Sequence, residues 1–157
     1  MKKIQILCVG DLKEGYLKEA QAEYLKRLSS ACAIDVTIVP EQSSSEKLSE
    51  KELQIKKDKE AELLLPKIKG YAIALCIDAK QFDSVEFANN LNQKFQDNAT
   101  VTFIIGGSDG LSEKVINKCN QKISFSRLTF PHQLMRIVLL EQIYRTTTIW
   151  SGKTYHK

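Results

Sequence analysis

The sequence predicts an α/β fold with a mostly parallel sheet and flanking helices. Apolar runs of strand length alternate with segments whose apolar residues recur at helical spacing, which is the pattern of an α/β protein. The runs Tyr71–Ile77 and Val101–Ile105 are almost continuously apolar, as expected for parallel strands buried on both faces. A chain of 157 residues can bury about two thirds of its unfolded surface, so we expect a single domain over residues 1–157.

The first half of the chain contains two predicted strands and two predicted helices. Ile4–Val9 is the first strand, and residues 13–28 follow as a helix with one apolar stripe. Ile34–Val39 is the second strand, closed by a proline. The serine-rich segment 41–47 is the one stretch that we expect to be flexible. Residues 49–66 begin with a capping box, and their mixed charges predict a solvated helix.

The second half alternates in the same way. Strands are predicted at Tyr71–Ile77, Val101–Ile105 and Ile123–Phe125, and helices at residues 84–96 and 131–146. The last of these helices carries apolar residues on all sides, so it has to be buried on more than one side. In so small a chain we expect its second partner to be another copy of the chain, which predicts a homodimer.

Positive charge is concentrated in the last third of the chain. Residues 101–157 hold eight Lys and Arg against three acidic residues, or net +5, whereas the first hundred hold 15 basic against 16 acidic residues. Such asymmetry points to a polyanion partner, nucleic acid first and an anionic membrane surface second. An ordinary solvated basic surface explains the charge alone equally well.

The cysteines and histidines argue against disulfides and metal sites. The four cysteines form no C-x-x-C pair, so we expect buried thiols in a reducing cytosol. His132 and His156 have no cluster of Cys and acidic residues around them, and His132 is interpreted as a structural hydrogen-bonding residue. The N-terminal apolar run is too short for a signal peptide, and no run is long enough to span a bilayer. These features predict a cytoplasmic protein without a membrane partner.

A glycine-rich segment, Gly106–Gly110, lies between a buried strand and a short predicted helix. Glycines at the carboxyl end of such a strand let the backbone approach a ligand where a Cβ would collide. The segment is neither G-x-G-x-x-G nor a P-loop, so it is a tight turn or a ligand site of another kind. The sequence shows no paired nucleophile and base, which favours chemistry carried by a cofactor.

Three motifs and the C-terminus resemble the SPOUT-class RNA methyltransferases, and among them the bacterial ribosomal RNA large subunit methyltransferase H family. The resemblance covers the whole chain. The motifs are Ile104–Leu111, Ser124–His132 and Arg136–Arg145, followed by the terminal Tyr155-His156-Lys157. The resemblance implies a C-terminal trefoil knot, an exception to unknotted topology, together with a homodimer and S-adenosylmethionine bound in the knot. Its cofactor-binding positions correspond to Leu75, Gly107, Ser126, Arg127, Leu128, Thr129, Phe130 and Pro131.

The resemblance also implies a function, which is S-adenosylmethionine-dependent methylation of N3 of a pseudouridine in 23S ribosomal RNA within the assembled ribosome. Two other classes stay open at this point. One is a non-catalytic ribosome- or RNA-binding factor with a vestigial nucleotide pocket. The other is a nucleotide-binding protein that acts on small molecules.

Tyr155 and His156 are the catalytic candidates, because the acceptor imide has to lose a proton and no other base is evident. A frayed chain end is the plainer interpretation of these residues. Basic side chains of the last third are expected to meet RNA phosphates, although Arg145 is equally well placed to pair with Glu141. The RNA-binding candidates are Arg136, Arg145, Lys153 and Lys157.

Overall fold

The computed structural model describes residues 1–42 and 47–157. Most of the serine-rich stretch predicted to be flexible, residues 43–46, lies outside the described residues. The strands are β1 (Lys2–Val9), β2 (Cys32–Val39), β3 (Tyr71–Gln81), β4 (Thr100–Ile105) and β5 (Gln121–Ser124). The helices are α1 (Gly15–Leu28), α2 (Glu50–Leu64), α3 (Ser84–Asp97), α4 (Glu113–Lys118) and α5 (His132–Trp150), with a 3₁₀ turn at Leu65–Lys67.

The strands form one parallel sheet in the order β2-β1-β4-β3-β5. β1 pairs on both sides, so that Ile4 lies opposite Ile34 of β2 and opposite Val101 of β4. The predicted α/β class and parallel sheet are therefore confirmed. The trefoil knot that the resemblance implies stays a prediction.

Helices cover both faces of the sheet. α1, α3 and α5 pack over a core that includes Ile6 and Phe103, whereas α2 and α4 pack over Leu7 and Ile104. Successive residues of a strand point to opposite faces, so all four of these side chains are fully buried. Burial from both sides is the reason that these strands read as apolar runs.

The segments that follow β1 and β4 leave the sheet in opposite directions. These strands are neighbours, but α1 and α4 lie on opposite faces of the sheet. Such a divergence opens a crevice at the carboxyl ends of the strands, the usual ligand position in open α/β sheets. Here the crevice is lined by Gly10 after β1 and by Ser108 after β4.

β3 continues to Gln81, beyond the strand end predicted at Ile77. Its pairing with β5 reaches Leu75 opposite Ile123, is interrupted, and resumes with Lys80 opposite the same residue. The residues between them bulge from the ladder, and bulges of this kind re-aim side chains next to ligand sites. The apolar pattern stops at the bulge, so it could not indicate the polar continuation.

The prediction of a solvated α2 is wrong for one side of the helix. Lys56 is 7% exposed and Glu60 only 2% exposed. Charged side chains are rarely buried to this extent unless they are paired. Their partners lie far away in the sequence, so the mixed charges of α2 gave no sign of the burial.

Most of α5 is covered by its own chain, although Leu134 in its first turn is exposed. Its apolar sides pack against α1, α3 and the sheet. Burial of α5 therefore does not require a second copy, and the homodimer stays a prediction. The helix also runs on to Trp150, beyond the end predicted at residue 146, and the hydroxyls of Thr147 and Thr148 donate to the carbonyl oxygens of Tyr144 and Arg145 within it (2.7 and 2.6 Å).

Within residues 1–42 and 47–157, no helix combines the length and apolarity that a bilayer span requires. The same two stretches contain no group of three or more His, Cys, Asp or Glu residues arranged to hold a metal ion.

Candidate cofactor site

Residues from three neighbouring strands and the loops that follow them line one cavity beside the glycine-rich segment. The cavity has a volume of about 150 Å³ and lies at the bulge of β3 and the ends of β4 and β5. Arg127 and Pro131 belong to the loop that borders it, but they are exposed and do not line it. His132 and Met135 of α5, which the sequence analysis did not assign to the cofactor, do line it. The predicted cofactor residues that meet here are Leu75, Gly107, Ser126, Leu128, Thr129 and Phe130.

The glycine-rich segment closes into a tight turn, and two of its glycines have no room for a side chain. The Gly110 N–H donates to the Gly107 carbonyl oxygen (3.1 Å), and Gly110 has a φ of +82°. A Cβ at Gly106 would lie 2.6 Å from the carbonyl carbon of Gly110. A Cβ at Gly107 would lie 2.9 Å from Oε1 of Glu41. The packing of the turn itself therefore requires glycine here, and the close approach of a ligand stays a prediction.

The loop after β5 forms the outer wall of the cavity. The Leu128 N–H donates to Ser126 Oγ (3.0 Å), and the Ser124 hydroxyl donates to the Ser126 carbonyl oxygen (3.1 Å). Beyond this turn, Leu128 is 70% exposed and Phe130 is 38% exposed. Exposed apolar side chains at the mouth of a cavity mark a surface that a ligand or partner covers.

A second, larger cavity adjoins the first. Its volume is about 690 Å³, within the roughly 300–1,000 Å³ of typical small-molecule sites. Phe125, Ser126 and Phe130 line both cavities, and the second extends from the start of α3 to His156. The two cavities thus offer adjacent spaces separated by one loop. We call the smaller one the cofactor cavity and the larger one the acceptor cavity, after the roles that we propose for them.

The C-terminal tail is anchored on α5. Glu141 accepts from Arg145 Nε (2.8 Å) and from the Tyr155 hydroxyl (2.8 Å). The guanidinium of Arg145 also lies 4.8 Å from the centre of the Tyr155 ring, and Tyr144 packs edge-on against that ring at 5.0 Å. These contacts contradict the interpretation of the tail as a frayed end.

Tyr155 is held as a hydrogen-bond donor. Its hydrogen bond to Glu141 raises the pKa of the phenol above its ordinary value, and partial burial and the charge of Glu141 add to that effect. A phenol that is harder to deprotonate is a poor base at neutral pH. Tyr155 therefore suits an anchoring role better than proton abstraction.

The predicted RNA contacts divide into two groups. Lys153 and Lys157 are exposed. Arg145 is engaged by Glu141, which supports the second of its two predicted interpretations. Arg136 is only 1% exposed, and its Nη2 donates to the carbonyl oxygen of Gly10 (2.5 Å). An RNA phosphate cannot reach a guanidinium buried in this way, so the structure does not support the prediction for Arg136.

Glu41 and Lys56 contact the glycine-rich segment and were missed by the sequence analysis. Glu41 accepts hydrogen bonds from Ser108, and Lys56 Nζ lies 2.7 Å from Asp109 Oδ2. His132 Nε2 lies 4.0 Å from Glu41 on the cavity side. Each of these contacts joins residues that are at least 53 positions apart in the sequence. No local sequence pattern could therefore have indicated them.

A family model described as "Predicted SPOUT methyltransferase" matches residues 1–156. The chain therefore belongs to the SPOUT methyltransferase family, a class of enzymes. Its relatives carry the name ribosomal RNA large subunit methyltransferase H: a Listeria monocytogenes protein is 50% identical, covering 98% of this chain and 99% of that protein. Relatives of the same name from Enterococcus faecalis and Clostridioides difficile are 47% and 46% identical over nearly the full length of both proteins. The predicted family is confirmed.

A solved structure has a similar fold. It is described as a probable methylase family protein from Haemophilus influenzae Rd KW20, and it superposes with a TM-score of 0.58. The match covers 98% of this chain and 70% of that protein at 12% sequence identity. At so low an identity the match supports the α/β fold alone.

Proposed function

We propose that this methyltransferase transfers the methyl group of S-adenosylmethionine to N3 of a pseudouridine in 23S ribosomal RNA, within the assembled ribosome. One observation carries the proposal: six predicted cofactor residues from three neighbouring strands and their loops line one cavity, and that cavity adjoins a second one lined by His156. The relatives' names supply the class of RNA. Membership of a methyltransferase family disfavours the non-catalytic alternative.

The residues of the smaller cavity suit S-adenosylmethionine. Gly106, Gly107 and Gly110 line it without side chains, so backbone groups are free to contact a ligand there. Leu75 and Phe130 supply apolar surface for an adenine ring, and Thr129 adds a hydroxyl group. When bound, this cofactor supplies an electrophilic methyl group on a sulfonium. A cavity of about 150 Å³ is smaller than most small-molecule sites, so the exposed β5–α5 loop has to open or the ligand has to extend into the acceptor cavity.

The acceptor cavity is the proposed position of the target base. It places an acceptor beside the cofactor cavity, and such orientation of two reactants is worth up to roughly 7–11 kcal/mol in ideal cases. Ser84 donates to the amide oxygen of Gln142 at its wall (2.8 Å), which leaves the amide nitrogen of Gln142 to donate to a carbonyl of the base. An imide that loses its N3 proton carries negative charge on two oxygens, so hydrogen-bond donors here favour the reaction.

His156 supplies a second donor in the proposed mechanism. Its Nδ1 lies 3.2 Å from Nη1 of Arg145, and a guanidinium only donates hydrogen bonds. Nδ1 must therefore accept, and the imidazole proton resides on Nε2. In this arrangement His156 offers the acceptor base a hydrogen bond and does not serve as the general base.

RNA binding is proposed to use the exposed lysines of the tail. Lys153 and Lys157 lie in the segment that also carries His156, so phosphate contacts there would hold the target nucleotide near the acceptor cavity. Phosphate contacts make binding salt-dependent, and a folded ribosomal surface supplies specificity through its shape. We further propose that the chain acts as one domain over residues 1–157 in a cytoplasmic homodimer.

The proposed function is tested by methyl transfer to ribosomes that lack the modification. Labelled S-adenosylmethionine is incubated with the protein and ribosomes, the 23S RNA is digested, and mass spectrometry locates the label. The expected result is label on N3 of one pseudouridine. Cofactor binding without any RNA label would contradict the proposed substrate, and absence of cofactor binding would contradict the proposed reaction.

A further inference from the structure

The glycine-rich segment depends on side chains from elsewhere for its shape. Internally it has the single turn hydrogen bond between Gly110 and Gly107, and three of its five residues are glycines. Glycine gives the backbone a wide choice of conformations, so one hydrogen bond restrains such a segment weakly. Only Ser108 and Asp109 carry side chains here, and both contact residues from the first 60 positions of the chain.

Glu41 contacts the segment at Ser108, and His132 of the cofactor cavity lies 4.0 Å from its carboxylate. Its Oε1 accepts from both the backbone N–H of Ser108 (3.2 Å) and its hydroxyl (2.9 Å). Burial by itself raises the pKa of Glu41, but the hydrogen bonds from Ser108 and the positive charge of Lys56 outweigh it and leave the pKa below its ordinary value. The carboxylate is therefore ionised whenever the protein is at neutral pH.

Lys56 joins Glu41 to the second side chain of the segment. Its Nζ lies 2.7 Å from Asp109 Oδ2 and 3.5 Å from Glu41 Oε1. The side chain is 7% exposed. Burial lowers the pKa of Lys56, yet the hydrogen bond and charge of Asp109, together with Glu41 and Glu60, raise it above its ordinary value. A buried ammonium is stable only with such partners, so the ion pair fixes the position of Asp109.

The contacts are directed at the cofactor-lining face. Ser108 lines the cofactor cavity with Gly107 and Gly110, and it also lines the crevice that contains Glu41 and Lys56. Ser108 therefore borders both the cofactor cavity and the charged pair. A pair that served stability alone could contact any part of the loop, whereas this pair holds the two residues enclosed by the cavity-lining glycines.

We infer that Glu41 and Lys56 are positioning residues that hold the segment Gly106–Gly110 in the shape that binds the cofactor. The inference rests on the proposed function, because it needs the cavity to be the S-adenosylmethionine site. Neither residue touches the reacting atoms. Their loss allows the segment to populate other conformations, and the apparent dissociation constant of a ligand rises as the competent fraction falls.

The test compares the variants Glu41→Gln, Glu41→Ala and Lys56→Met with wild type. Binding of labelled S-adenosylmethionine is measured at equilibrium, and kcat and the KM for each substrate are measured on unmodified ribosomes. We expect Lys56→Met and Glu41→Ala to weaken cofactor binding at least 10-fold. Saturating cofactor should restore kcat, and the KM for ribosomes should stay unchanged. Glu41→Gln keeps an acceptor for Ser108 but loses the charge, so its defect should be intermediate.

Lys114→Met is the matched control. Lys114 makes an ion pair with Asp58 of α2 at 3.4 Å, but its side chain is 65% exposed and the pair does not touch the segment. This variant should bind the cofactor as wild type does. Circular dichroism and the Tm of each variant identify any that fail to fold. Glu41→Gln, at a partly buried position, keeps the test valid if Lys56→Met unfolds.

Two results would overturn the inference. The first is wild-type cofactor affinity in folded variants at both positions. The second is a parallel fall of cofactor affinity, ribosome affinity and Tm, which indicates a purely structural role. Failure of wild type itself to bind S-adenosylmethionine would instead contradict the proposed function.

Discussion

The imidazole of His156 is held by a neighbour that can only donate hydrogen bonds. Because Nδ1 accepts from Arg145, the proton resides on the other ring nitrogen. Arg145 is in turn oriented by Glu141, which also holds Tyr155. A chain of three polar contacts therefore orients the His156 ring, which donates to the target base in the proposed mechanism.

This arrangement predicts that a donor can replace His156 better than an apolar residue can. His156→Ala should lower kcat by about 10²-fold, the scale for losing one donor to a developing oxyanion. His156→Gln keeps an N–H group and should lose less than about 10-fold. Single-turnover rates on unmodified ribosomes measure both. Equal losses in the two variants would contradict the role of His156 as a hydrogen-bond donor.

The buried Arg136 and the exposed Lys153 are predicted to have opposite effects. Arg136→Met removes the donor to the buried Gly10 carbonyl, so the free energy of unfolding should fall by about 1–3 kcal/mol. The salt dependence of RNA binding should not change. Lys153→Ala should leave stability unaltered and reduce the slope of log K against log salt by about 1. Denaturant unfolding and salt titrations measure the two effects, and a reduced slope for Arg136→Met would contradict its assignment as structural.

At the scale of the elements, the turn between β4 and α4 has no space for a side chain at Gly106. Gly106→Ala would bring a Cβ within 2.6 Å of the Gly110 backbone, so the turn has to shift. We expect at least a 10-fold loss of affinity for S-adenosylmethionine, measured by equilibrium binding. Gly15→Ala in the first turn of α1 is the control, since its Cβ would meet nothing within 4 Å. It should leave binding unchanged and stabilise the protein by up to about 1 kcal/mol.

The buried side of α2 predicts a pH effect on stability. Burial raises the pKa of Glu60 above its ordinary value, despite the Gln42 N–H that it accepts and the charge of Lys56. Between the ordinary and the raised pKa, the folded state holds more protons than the unfolded state. The free energy of unfolding therefore falls as the pH rises through this window.

Glu60→Gln should remove that loss. The free energy of unfolding of the variant, relative to wild type, is expected to increase as the pH rises from about 4 to 7. The exposed Glu62→Gln on the same helix is the control and should show no such trend. Urea unfolding across this pH range measures the difference. A constant difference would mean that folding leaves the pKa of Glu60 unchanged.

At the scale of the whole molecule, three apolar side chains at the mouth of the cofactor cavity and on the first turn of α5 stay partly exposed. Leu128, Phe130 and Leu134 are 70%, 38% and 37% exposed, all within seven residues of one another. A second copy is the partner that we propose for them. Sedimentation velocity should show a dimer for wild type and a monomer for Leu134→Asp. Ile55→Asp, at a 47% exposed position on α2, should stay dimeric, and a monomeric wild type would exclude the proposal.

The sequence by itself determined the α/β class, the parallel sheet and the strand ends that meet at the cofactor cavity. Strands buried on both faces read as apolar runs, and the carboxyl ends of parallel strands meet at one edge, so both features follow from local pattern. Six of the eight predicted cofactor positions reach the cavity because they lie within or directly after three neighbouring strands. Arg127 and Pro131 do not, because they are exposed on the outer side of the loop.

Only the tertiary structure decided which charged residues are buried. Lys56, Glu60 and Arg136 look like surface residues in the sequence, since a charge is normally left in water. Each is buried because partners from distant segments, such as Asp109 and the carbonyl of Gly10, are brought to it by the fold. Pairing across such separations leaves no periodicity in the chain, so the support of the glycine-rich segment and the burial of Arg136 could be seen only in three dimensions.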